Sequence, residues 1–422
     1  MPTGLEAVCV VAQELLSAYG RGVERCADGL LAGQSALRPA TGLEGPDAVT
    51  AQVVGAIPPN ELAVSGAGRF AALLRAGIAG MELPPDAPIY LATTVGAVDD
   101  LEAAAFAGED FSGQGGFSRL HGLAATAFGV APGRIQIVSS ACASSTAALA
   151  LAAGAIHRGE IECALVVGAD IVTEFVLAGF AALMAVDPGG AHPFDADRKG
   201  VALGEAYAAA LLMRADRAAR ESRSCLGTVA GWSLTCDANH LTGPSRDGAP
   251  LADAIAAAVA MAGGKPADVA FLCAHGTGTV YNDQMEMLAF RRAFGASPRP
   301  TFSIKGGTGH VLGAAGLAEA LLALEFLRRG RIPPTVGLRR IADDAAGWVS
   351  LDPRPVDSAG IALSTNSGFG GTNATVALTL APRNPLVPAA KAVPQRQGAA
   401  RVAASDAAAT PEEAGSLPRN FN

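Results

Sequence analysis

The sequence predicts an α/β protein whose mainly parallel sheets are covered by helices on both faces. Apolar runs of strand length alternate with Ala- and Leu-rich runs of helical length along most of the 422 residues, and this alternation is typical of parallel sheets. Several strand-like runs end at a reactive side chain, which is where ligands bind in such sheets. A strand, a turn rich in Gly or Ser and an Ala/Leu-rich helix occur around Cys142 and again around His310, which indicates an internal duplication.

The two halves of the chain show the same alternation of elements. In the first half, strands are predicted over residues 7–12, 89–95, 134–138, 163–170 and 206–213, with helices over 17–31, 69–78, 123–128 and 147–156. In the second half, strands are predicted over residues 227–233, 268–274, 300–304, 361–365 and 375–380, with helices over 249–262 and 312–328. Residues 383–422 are rich in Ala, Pro, Arg and Glu without periodicity, which predicts a flexible tail.

The composition argues against several classes of protein. A net charge of -8 and a pI near 5.3 disfavour nucleic acid as the main partner. The seven cysteines are scattered without a C-x-x-C pair, which favours free thiols in a reducing cytoplasm over a disulfide framework or a metal site. The N-terminus lacks a basic segment followed by an apolar core, and the apolar runs are interrupted before they reach membrane-spanning length. We therefore expect a cytoplasmic protein without a signal peptide or membrane span.

Cys142 is the candidate nucleophile. Residues 134–138 alternate like a strand, and residues 147–156 are almost entirely Ala and Leu, which predicts a helix that is buried on all sides. A thiol in the turn between them would face unpaired backbone N–H groups and the positive end of the helix dipole, and both favour the thiolate. The alternative is a small buried cysteine that packs like alanine.

Three further stretches place unusual residues at the ends of predicted strands. They contain His275, Lys305 with His310, and a glycine-rich loop around Phe369. Taken singly, each has an ordinary structural explanation, since glycine-rich loops are common turns and a lone histidine is usually structural. Neither a dinucleotide fingerprint after the first strand nor a Walker sequence is present. The combination and its order along the chain are therefore the specific signal.

In this order the stretches resemble the β-ketoacyl-acyl carrier protein synthases, condensing enzymes of the thiolase superfamily. The resemblance covers roughly residues 10–382 and is closest to the elongating type I and type II enzymes with a Cys-His-His triad. The matching segments are the Cys142 turn, Pro193-Phe194-Asp195, Leu203-Gly204-Glu205, residues 237–242, 275–279, 305–319 and 368–373. It implies a thiolase-like five-layered αβαβα fold made of two duplicated halves with mainly parallel mixed sheets. Residues 1–235 would carry the nucleophile and residues 236–382 the two histidines.

The resemblance also implies roles for individual residues. Cys142 would accept the acyl group, and His275 and His310 would stabilise the enolate that forms when a malonyl thioester loses CO₂. Lys305 would balance charge, and Glu319 would be a structural acid.

The family's oxyanion hole uses two backbone N–H groups, which correspond to those of Cys142 and Phe369. Gly368 and Gly370 would let this backbone come close and let the Phe369 ring act as a gate. Hydroxyls suited to a phosphopantetheine arm would be those of Thr242, Thr277 and Thr279.

The implied activity is acyl transfer to Cys142, followed by decarboxylative Claisen condensation with malonyl-acyl carrier protein to give 3-oxoacyl-acyl carrier protein. The pathway would be fatty-acid synthesis or a specialised polyketide or polyene synthesis. No cofactor is implied, because the substrates are carried on the phosphopantetheine of the carrier protein. The family implies a homodimer, or a heterodimer with a related subunit. Carrier proteins are acidic, so we expect a basic docking patch that includes Arg69, Arg198 and Lys199.

The sequence departs from the family pattern in three places. Residues 12–16 replace a Thr-Gly-x-Gly turn, and Val201 and Ser367 stand where the family often has Phe. These changes favour a specialised pathway over housekeeping elongation. Two other functions stay open: a chain-length-factor-like partner subunit, which typically lacks the nucleophile, and a thiolase, whose second catalytic cysteine has no counterpart after Cys273.

Overall fold

The largest sheet in the described residues is assembled from two halves. The computed structural model describes residues 7–41, 51–109 and 117–380. The strands are β1 (Val8–Ser17), β2 (Gly20–Arg21), β3 (Arg38–Pro39), β4 (Val53–Val54), β5 (Ile89–Ala92), β6 (Ile135–Val138), β7 (Cys163–Asp170), β8 (Ala206–Arg214), β9 (Gly227–Cys236), β10 (Val269–Cys273), β11 (Thr301–Phe302), β12 (Arg331–Ile332), β13 (Arg354–Pro355), β14 (Ile361–Gly368) and β15 (Thr372–Thr379). The helices are α1 (Val23–Leu31), α2 (Arg69–Ile78), α3 (Val98–Phe106), α4 (Phe117–Phe128), α5 (Ser144–His157), α6 (Glu174–Ala182), α7 (Ala215–Arg220), α8 (Ala249–Met261), α9 (Val280–Phe294), α10 (Lys305–Thr308) and α11 (Ala315–Arg329). The predicted tail, residues 383–422, lies outside the described residues.

Both halves have the same strand order. The first half runs β6-β5-β7-β8-β1 and the second runs β11-β10-β14-β15-β9. In each half, the first two pairings in this order are parallel and the last two are antiparallel. The predicted duplication is therefore confirmed in the strand order. Strands β6 and β11, which precede the segments of Cys142 and His310, occupy equivalent positions in the two halves.

The two halves meet where β1 and β9 pair edge to edge. Val8, Cys9 and Val10 of β1 are antiparallel to Val229, Thr228 and Gly227 of β9. Beyond this short seam, β9 pairs with β15 along most of its length. The division of the chain into functional halves at residue 235 stays a prediction.

Helices form three layers around the two half-sheets. The central layer contains α5 and α11, each of which contacts strands of both halves, and nearly every side chain in both helices is buried. Their Ala- and Leu-rich sequences have no continuous polar face, so neither helix is suited to the surface. Helices α2 and α4 cover the first half, and α8 with α9 cover the second, which completes the five predicted layers. None of the helices in the described part of the chain combines the length and hydrophobicity needed to cross a membrane.

Strand β1 is longer than the sequence indicates. Residues 7–12 are predicted as the strand and residues 17–31 as a turn and helix, whereas β1 continues to Ser17 and α1 begins at Val23. Polar Gln13 and Glu14 interrupt the apolar run and hide this extension. Within the fold, Arg21 on β2 donates to the Glu14 carboxylate at 2.8 Å, so the polar stretch is accommodated in a strand.

Two of the cysteines that the sequence predicts to be free are paired. Cys9 on β1 and Cys225, just before β9, form a disulfide with a Cα–Cα distance of 5.4 Å, within the usual range for such bonds. The prediction of free thiols is therefore wrong for this pair. It failed because the two residues are 216 positions apart and only the seam between the half-sheets brings them together. The other five cysteines are free.

We expect this disulfide to be detectable by counting thiols. In protein purified without reductant and then unfolded in guanidinium chloride, five of the seven cysteines should react with Ellman's reagent. Reduction should expose all seven and lower the melting temperature, because closing so long a loop stabilises by about 5 kcal/mol in the chain-entropy description. In the Cys225→Ser variant, every remaining cysteine should react without reduction. Seven reactive thiols in the unreduced protein would show that the pair is open.

Candidate active site

Cys142 lies in a sharp turn between β6 and α5. Ala141, just before it, has a φ of 46°, a left-handed conformation that residues other than glycine rarely adopt. The Ser144 side chain supports this turn by accepting from the Ser140 N–H at 2.8 Å and donating to the Ala141 carbonyl at 2.5 Å. The thiol is 5% exposed and sits at the N-terminal end of the buried central helix, as the sequence predicts.

Three side chains from separate parts of the chain meet at this turn. The Nε2 atom of His310 lies 2.9 Å from the sulfur of Cys142. The rings of His275 and His310 are 5.1 Å apart and nearly perpendicular, at 86°. One sulfur and two ring nitrogens therefore lie within 4.8 Å of one another. The structure thus brings together the three residues that the sequence singles out as nucleophile and enolate donors.

A buried ion pair stands behind His275. The Lys305 ammonium donates to the Glu319 carboxylate and, at 2.5 Å, to the His275 backbone carbonyl. It also lies 3.2 Å from the Nδ1 atom of His275. The Asn366 amide lies 3.3 Å from the same Nδ1 and donates to Glu319 at 2.7 Å. Lys305, Glu319 and Asn366 therefore form one hydrogen-bonded group that orients the His275 ring.

The surroundings of the two rings decide where their protons lie. Nδ1 of His275 faces two donors, the Lys305 ammonium and the Asn366 amide, so it must accept, and the ring proton is on Nε2. A ring in this form offers Nε2 as a hydrogen-bond donor rather than as a metal ligand. The buried Nδ1 of His310 has no hydrogen-bond partner in the described part of the chain. Because orphaned buried N–H groups are rarer than under-satisfied acceptors, we assign the proton of His310 to Nε2 as well.

Burial keeps the three reacting groups uncharged at rest. Desolvation, the Lys305 charge and, less strongly, His310 lower the pKa of His275 well below its ordinary value. Desolvation and Lys305 likewise lower the pKa of His310. Desolvation raises the pKa of the Cys142 thiol to about 11, while the Lys305 charge and the Phe369 N–H pull it partly back. The resting pair is therefore a thiol beside a neutral imidazole.

The sequence favours the thiolate form of Cys142, and this prediction is wrong for the resting protein. A helix dipole contributes up to about 2 kcal/mol in favourable, partly buried sites. The shift from 9.0 to about 11 corresponds to about 3 kcal/mol against ionisation. Desolvation of Cys142 is the larger effect, and it depends on the packing around the turn rather than on local sequence.

The glycine-rich turn between β14 and β15 presses its backbone against the nucleophile. The Phe369 N–H is close enough to the Cys142 sulfur to lower the pKa of the thiol, and a Cβ added to Gly368 would lie 3.2 Å from the Cys142 nitrogen. Gly370 has a φ of 84°, in the left-handed region that glycine adopts readily. The Phe369 ring is 37% exposed and stacks on Phe180 of α6 at a centroid distance of 5.9 Å. The predicted gate is therefore at the cavity wall, in contact with a side chain that the sequence did not indicate.

A cavity of about 530 Å³ leads from the surface to the reacting groups. Cys142, His275 and His310 line it together with the three predicted pantetheine-binding residues, Thr242, Thr277 and Thr279. The hydroxyls of Thr277 and Thr279 are 2.8 Å apart, and Thr242 is exposed. The cavity thus has an exposed polar side and a buried reactive end.

Two of the three predicted docking residues are used inside the protein. Arg69 binds the buried Glu205 carboxylate through two nitrogens, at 3.1 and 2.6 Å. Arg198 is 8% exposed, donates to Asp344 at 3.1 Å and lies 3.8 Å from Asp283. Their inward orientation contradicts their predicted place on a docking surface. Lys199, in contrast, is exposed and lines the cavity.

Some contributors to the site escaped the sequence reasoning. Glu286 of α9 accepts from the backbone N–H groups of His275 and Gly276 at 2.7 and 2.6 Å. It therefore holds the backbone of the loop that carries His275. Asn366 ends the strand-like run of residues 361–365, a position that could have indicated a polar group at a sheet end. The glutamate gave no comparable signal, because it lies within a helix.

Two family models match the chain. The N-terminal domain of the β-ketoacyl synthases matches residues 71–218 and the C-terminal domain matches residues 226–339. The chain belongs to the β-ketoacyl synthase family. The solved structure of "The ishigamide ketosynthase/chain length factor" is similar with a TM-score of 0.80 and 28% identity, over 89% of this chain and 99% of that one. "Ketosynthase (ApeO) in Complex with its Chain Length Factor (ApeC) from Xenorhabdus doucetiae" gives a TM-score of 0.73 and 25% identity, over 89% and 98%. The predicted thiolase-like fold is therefore confirmed.

Curated relatives match a shorter stretch. The chain is 36% identical over 247 residues to 3-oxoacyl-[acyl-carrier-protein] synthase 2 of Mycobacterium leprae, which is 56% of this chain and 59% of the relative. It is 36% identical over 243 residues to Nodulation protein E of Rhizobium meliloti, which is 57% and 60%. The match thus spans about 60% of the length of these relatives.

The state of Cys142 can be tested by its rate of alkylation as a function of pH. Because burial raises its pKa to about 11, the thiolate fraction should rise about tenfold per pH unit between pH 6 and 9. We expect the rate of modification by iodoacetamide, followed by peptide mass spectrometry, to rise in proportion. The Cys142→Ser variant supplies the background from other cysteines. A rate that is flat over this range would indicate a preformed thiolate and contradict the assignment.

Proposed function

We propose that this protein is a condensing enzyme that extends a thioester-bound acyl chain by two carbons. An acyl group is transferred to Cys142 and is then attacked by the carbanion released when malonyl-acyl carrier protein loses CO₂, giving 3-oxoacyl-acyl carrier protein. The observation that carries the proposal is the approach of Cys142, His275 and His310 to within 4.8 Å at the end of one cavity. Family membership supports it, and the chain's own geometry supplies a role for each group.

The first step exchanges one thioester for another. The Cys142 sulfur attacks the acyl carbonyl, and the carbon–sulfur bond to pantetheine breaks. The Nε2–H of His310, 2.9 Å from the sulfur, stabilises the thiolate as it forms. The N–H groups of Cys142 and Phe369 donate hydrogen bonds to the carbonyl oxygen as negative charge develops on it. The proton of the Cys142 thiol ends on the departing pantetheine sulfur, so the step leaves the buried site with no added charge.

The second step needs a carbanion at neutral pH. Loss of CO₂ from the malonyl thioester leaves an electron pair that is shared with the thioester oxygen as an enolate. Two neutral imidazoles, His275 and His310, donate through Nε2–H to that oxygen, and Lys305 behind His275 adds positive charge. The carbanion attacks the acyl carbon on Cys142, the carbon–sulfur bond to Cys142 breaks, and the released thiolate takes up a proton from water. The lowered pKa values of both rings keep them neutral, and a neutral ring with its proton on Nε2 can donate to the enolate oxygen.

The histidines should be separable from the nucleophile by mutation. In the His275→Ala variant we expect acylation of Cys142 to persist, while malonyl decarboxylation falls about 10²- to 10³-fold, as for loss of one oxyanion donor. Intact-protein mass spectrometry reports the acyl adduct, and released CO₂ reports the second step. Cys142→Ser should give no adduct. The matched control is His157→Ala, since His157 makes an edge-to-face contact with Trp232 at a centroid distance of 6.0 Å outside the cavity. Equal decarboxylation rates in His275→Ala and His157→Ala would reject the role of His275.

We propose that the substrates arrive on an acyl carrier protein through a phosphopantetheine arm, without a further cofactor. Thr242, Thr277 and Thr279 line the cavity along which such an arm would pass. With Arg69 and Arg198 turned inward, Lys199 is an exposed cation that lines the cavity, and Arg339 and Arg340 are also exposed. The Asp195 carboxylate binds the backbone N–H groups of residues 339 and 340 at 2.6 and 2.9 Å, which holds these arginines beside the Lys199 loop.

Electrostatic docking should depend on Lys199 and on ionic strength. For Lys199→Glu we expect the KM for carrier-bound malonate to rise about three- to tenfold at low salt, and the difference to shrink as salt screens it. Steady-state rates with carrier-bound and N-acetylcysteamine-bound substrates would be compared. Lys265→Glu is the matched control, because Lys265 is exposed but lies before β10, at the opposite end of that strand from the cavity. A KM unaffected by both salt and Lys199→Glu would exclude this docking mode.

The similar solved structures also bear on the oligomeric state of the protein. We propose a homodimer or a heterodimer with a related chain, because two of the similar solved structures carry the name of a ketosynthase with a chain length factor. A chain-length-factor-like role for this chain itself is the alternative. The presence of Cys142 with both histidines favours the catalytic role, in either kind of dimer. Fatty-acid and specialised polyketide or polyene pathways both remain compatible with this chemistry.

A further inference from the structure

Asp170, at the end of β7, is a buried carboxylate that gathers hydrogen bonds from four groups. It is 0% exposed. One oxygen accepts from the Thr93 hydroxyl at 2.5 Å and from the Val95 N–H at 3.3 Å. The other accepts from the Thr94 N–H at 2.9 Å and from the Gly313 N–H at 2.7 Å. Both oxygens are therefore committed, and the donors come from two different segments of the chain.

One of these segments supports the Cys142 turn, and the other follows His310. The Thr94 hydroxyl donates to the carbonyl of Ala141 at 3.2 Å, in the turn that presents Cys142. Gly313 lies in the short 3₁₀ turn Leu312–Ala314, three residues after His310. Asp170 makes no hydrogen bond to Cys142 or His310, yet it joins the segment that supports the Cys142 turn, through Thr94, to the turn that follows His310.

The close approach of these segments depends on glycine. A Cβ at Gly313 would lie 2.8 Å from the Asp170 carboxylate and 2.8 Å from the Thr94 nitrogen. A Cβ at Gly168, two residues earlier on β7, would lie 2.9 Å from the Cα of Ala314 and 3.0 Å from the Cβ of Ser145. The end of β7 is therefore wedged between the two turns, with no room to shift toward either.

We propose that Asp170 is a positioning residue, which keeps the Cys142 turn and the His310 turn in the register that brings Sγ and Nε2 within hydrogen-bonding distance. The inference rests on the proposed condensing function and goes beyond it, because it assigns the alignment of the catalytic pair to a residue outside the cavity. One carboxylate oxygen accepts from the Thr94 and Gly313 N–H groups and so joins the two segments, while the other accepts from the Thr93 hydroxyl and the Val95 N–H, so all four donors are satisfied only by two acceptor oxygens. Asparagine has the same shape but would turn an NH₂ group toward one of the N–H donors.

An electrostatic role and a positioning role of Asp170 predict opposite effects of Asp170→Asn on the rate of Cys142 alkylation. The Asp170 charge raises the pKa of the Cys142 thiol, so a purely electrostatic role predicts faster alkylation when that charge is removed. Loss of alignment predicts slower alkylation, because the His310 Nε2–H no longer stabilises the thiolate. We expect the rate of iodoacetamide modification of Cys142 at pH 8 to fall about tenfold and the condensation rate by at least as much.

A matched control and a double-mutant cycle complete the design. Asp99→Asn makes the same change at a carboxylate that is 4% exposed and accepts from the Phe70 N–H at 3.1 Å, away from the catalytic turns. It should leave Cys142 alkylation unchanged. In a His310→Ala background, Asp170→Asn should add little further loss, because its effect passes through His310. An unchanged or faster rate in Asp170→Asn, or a full additional loss in the His310→Ala background, overturns the proposal.

A second variant covers the case in which Asp170→Asn does not fold. Thr94→Val leaves the Asp170 carboxylate in place and removes the hydrogen bond from the Thr94 hydroxyl to the Ala141 carbonyl. We expect the rate of Cys142 alkylation to fall about threefold. In the His310→Ala background, the same substitution should cause no such fall. Thr126→Val, at an exposed threonine whose hydroxyl donates within its own helix, is its control. Equal rates for the two variants reject the proposal. Alkylation requires no condensation, so a slowed reaction at Cys142 in a protein that never condenses malonate would refute the proposed function and leave this inference standing.

Discussion

The site depends on the burial of two apolar helices between two half-sheets. Helices α5 and α11 have no polar face, so they are stable only where β strands cover them on both sides. Each helix follows the strand at the same position in its own half, β6 or β11, and the two turns that precede them therefore face one another. Cys142 and His310 lie in these turns. The hydrophobic effect thus brings Cys142 and His310 together, whether or not their side chains attract one another.

The same burial sets the electrostatics of the reaction. Burial raises the pKa of Cys142 and lowers those of His275 and His310, which gives a neutral resting state. One cation, Lys305, is tolerated there because Glu319 neutralises it and backbone and side-chain acceptors complete its hydrogen bonds. Its position against Nδ1 fixes which nitrogen of His275 carries the proton. The site therefore holds donors ready for a negative oxygen without placing a net charge beside the incoming substrate.

The duplicated halves contribute unequally to this arrangement. The first half supplies the nucleophile and the Asp170 carboxylate, and the second supplies both histidines and the ion pair. Links between the halves are made by short polar contacts, such as the Leu317 N–H that donates to the Ser145 hydroxyl at 2.9 Å. Around the end of β7 and in the β14–β15 turn, glycines allow neighbouring backbone segments to approach closely. Small residues at these positions fix the reacting atoms more closely than flexible side chains would.

The sequence by itself determined the α/β class, the order of most strands and helices, and the buried character of both central helices, because hydrophobic periodicity is a local property. The order of the segments also predicted a site made of Cys142, His275, Lys305 and His310, which the structure brings together. Tertiary structure decided what depends on distant residues: the neutral thiol, the inward turn of Arg69 and Arg198, and the Cys9–Cys225 pair. It also revealed what the side chains of Asn366, Glu286 and Asp170 bind. Burial and hydrogen-bond partners arise only when segments far apart in the chain pack together, so no stretch of sequence contains them.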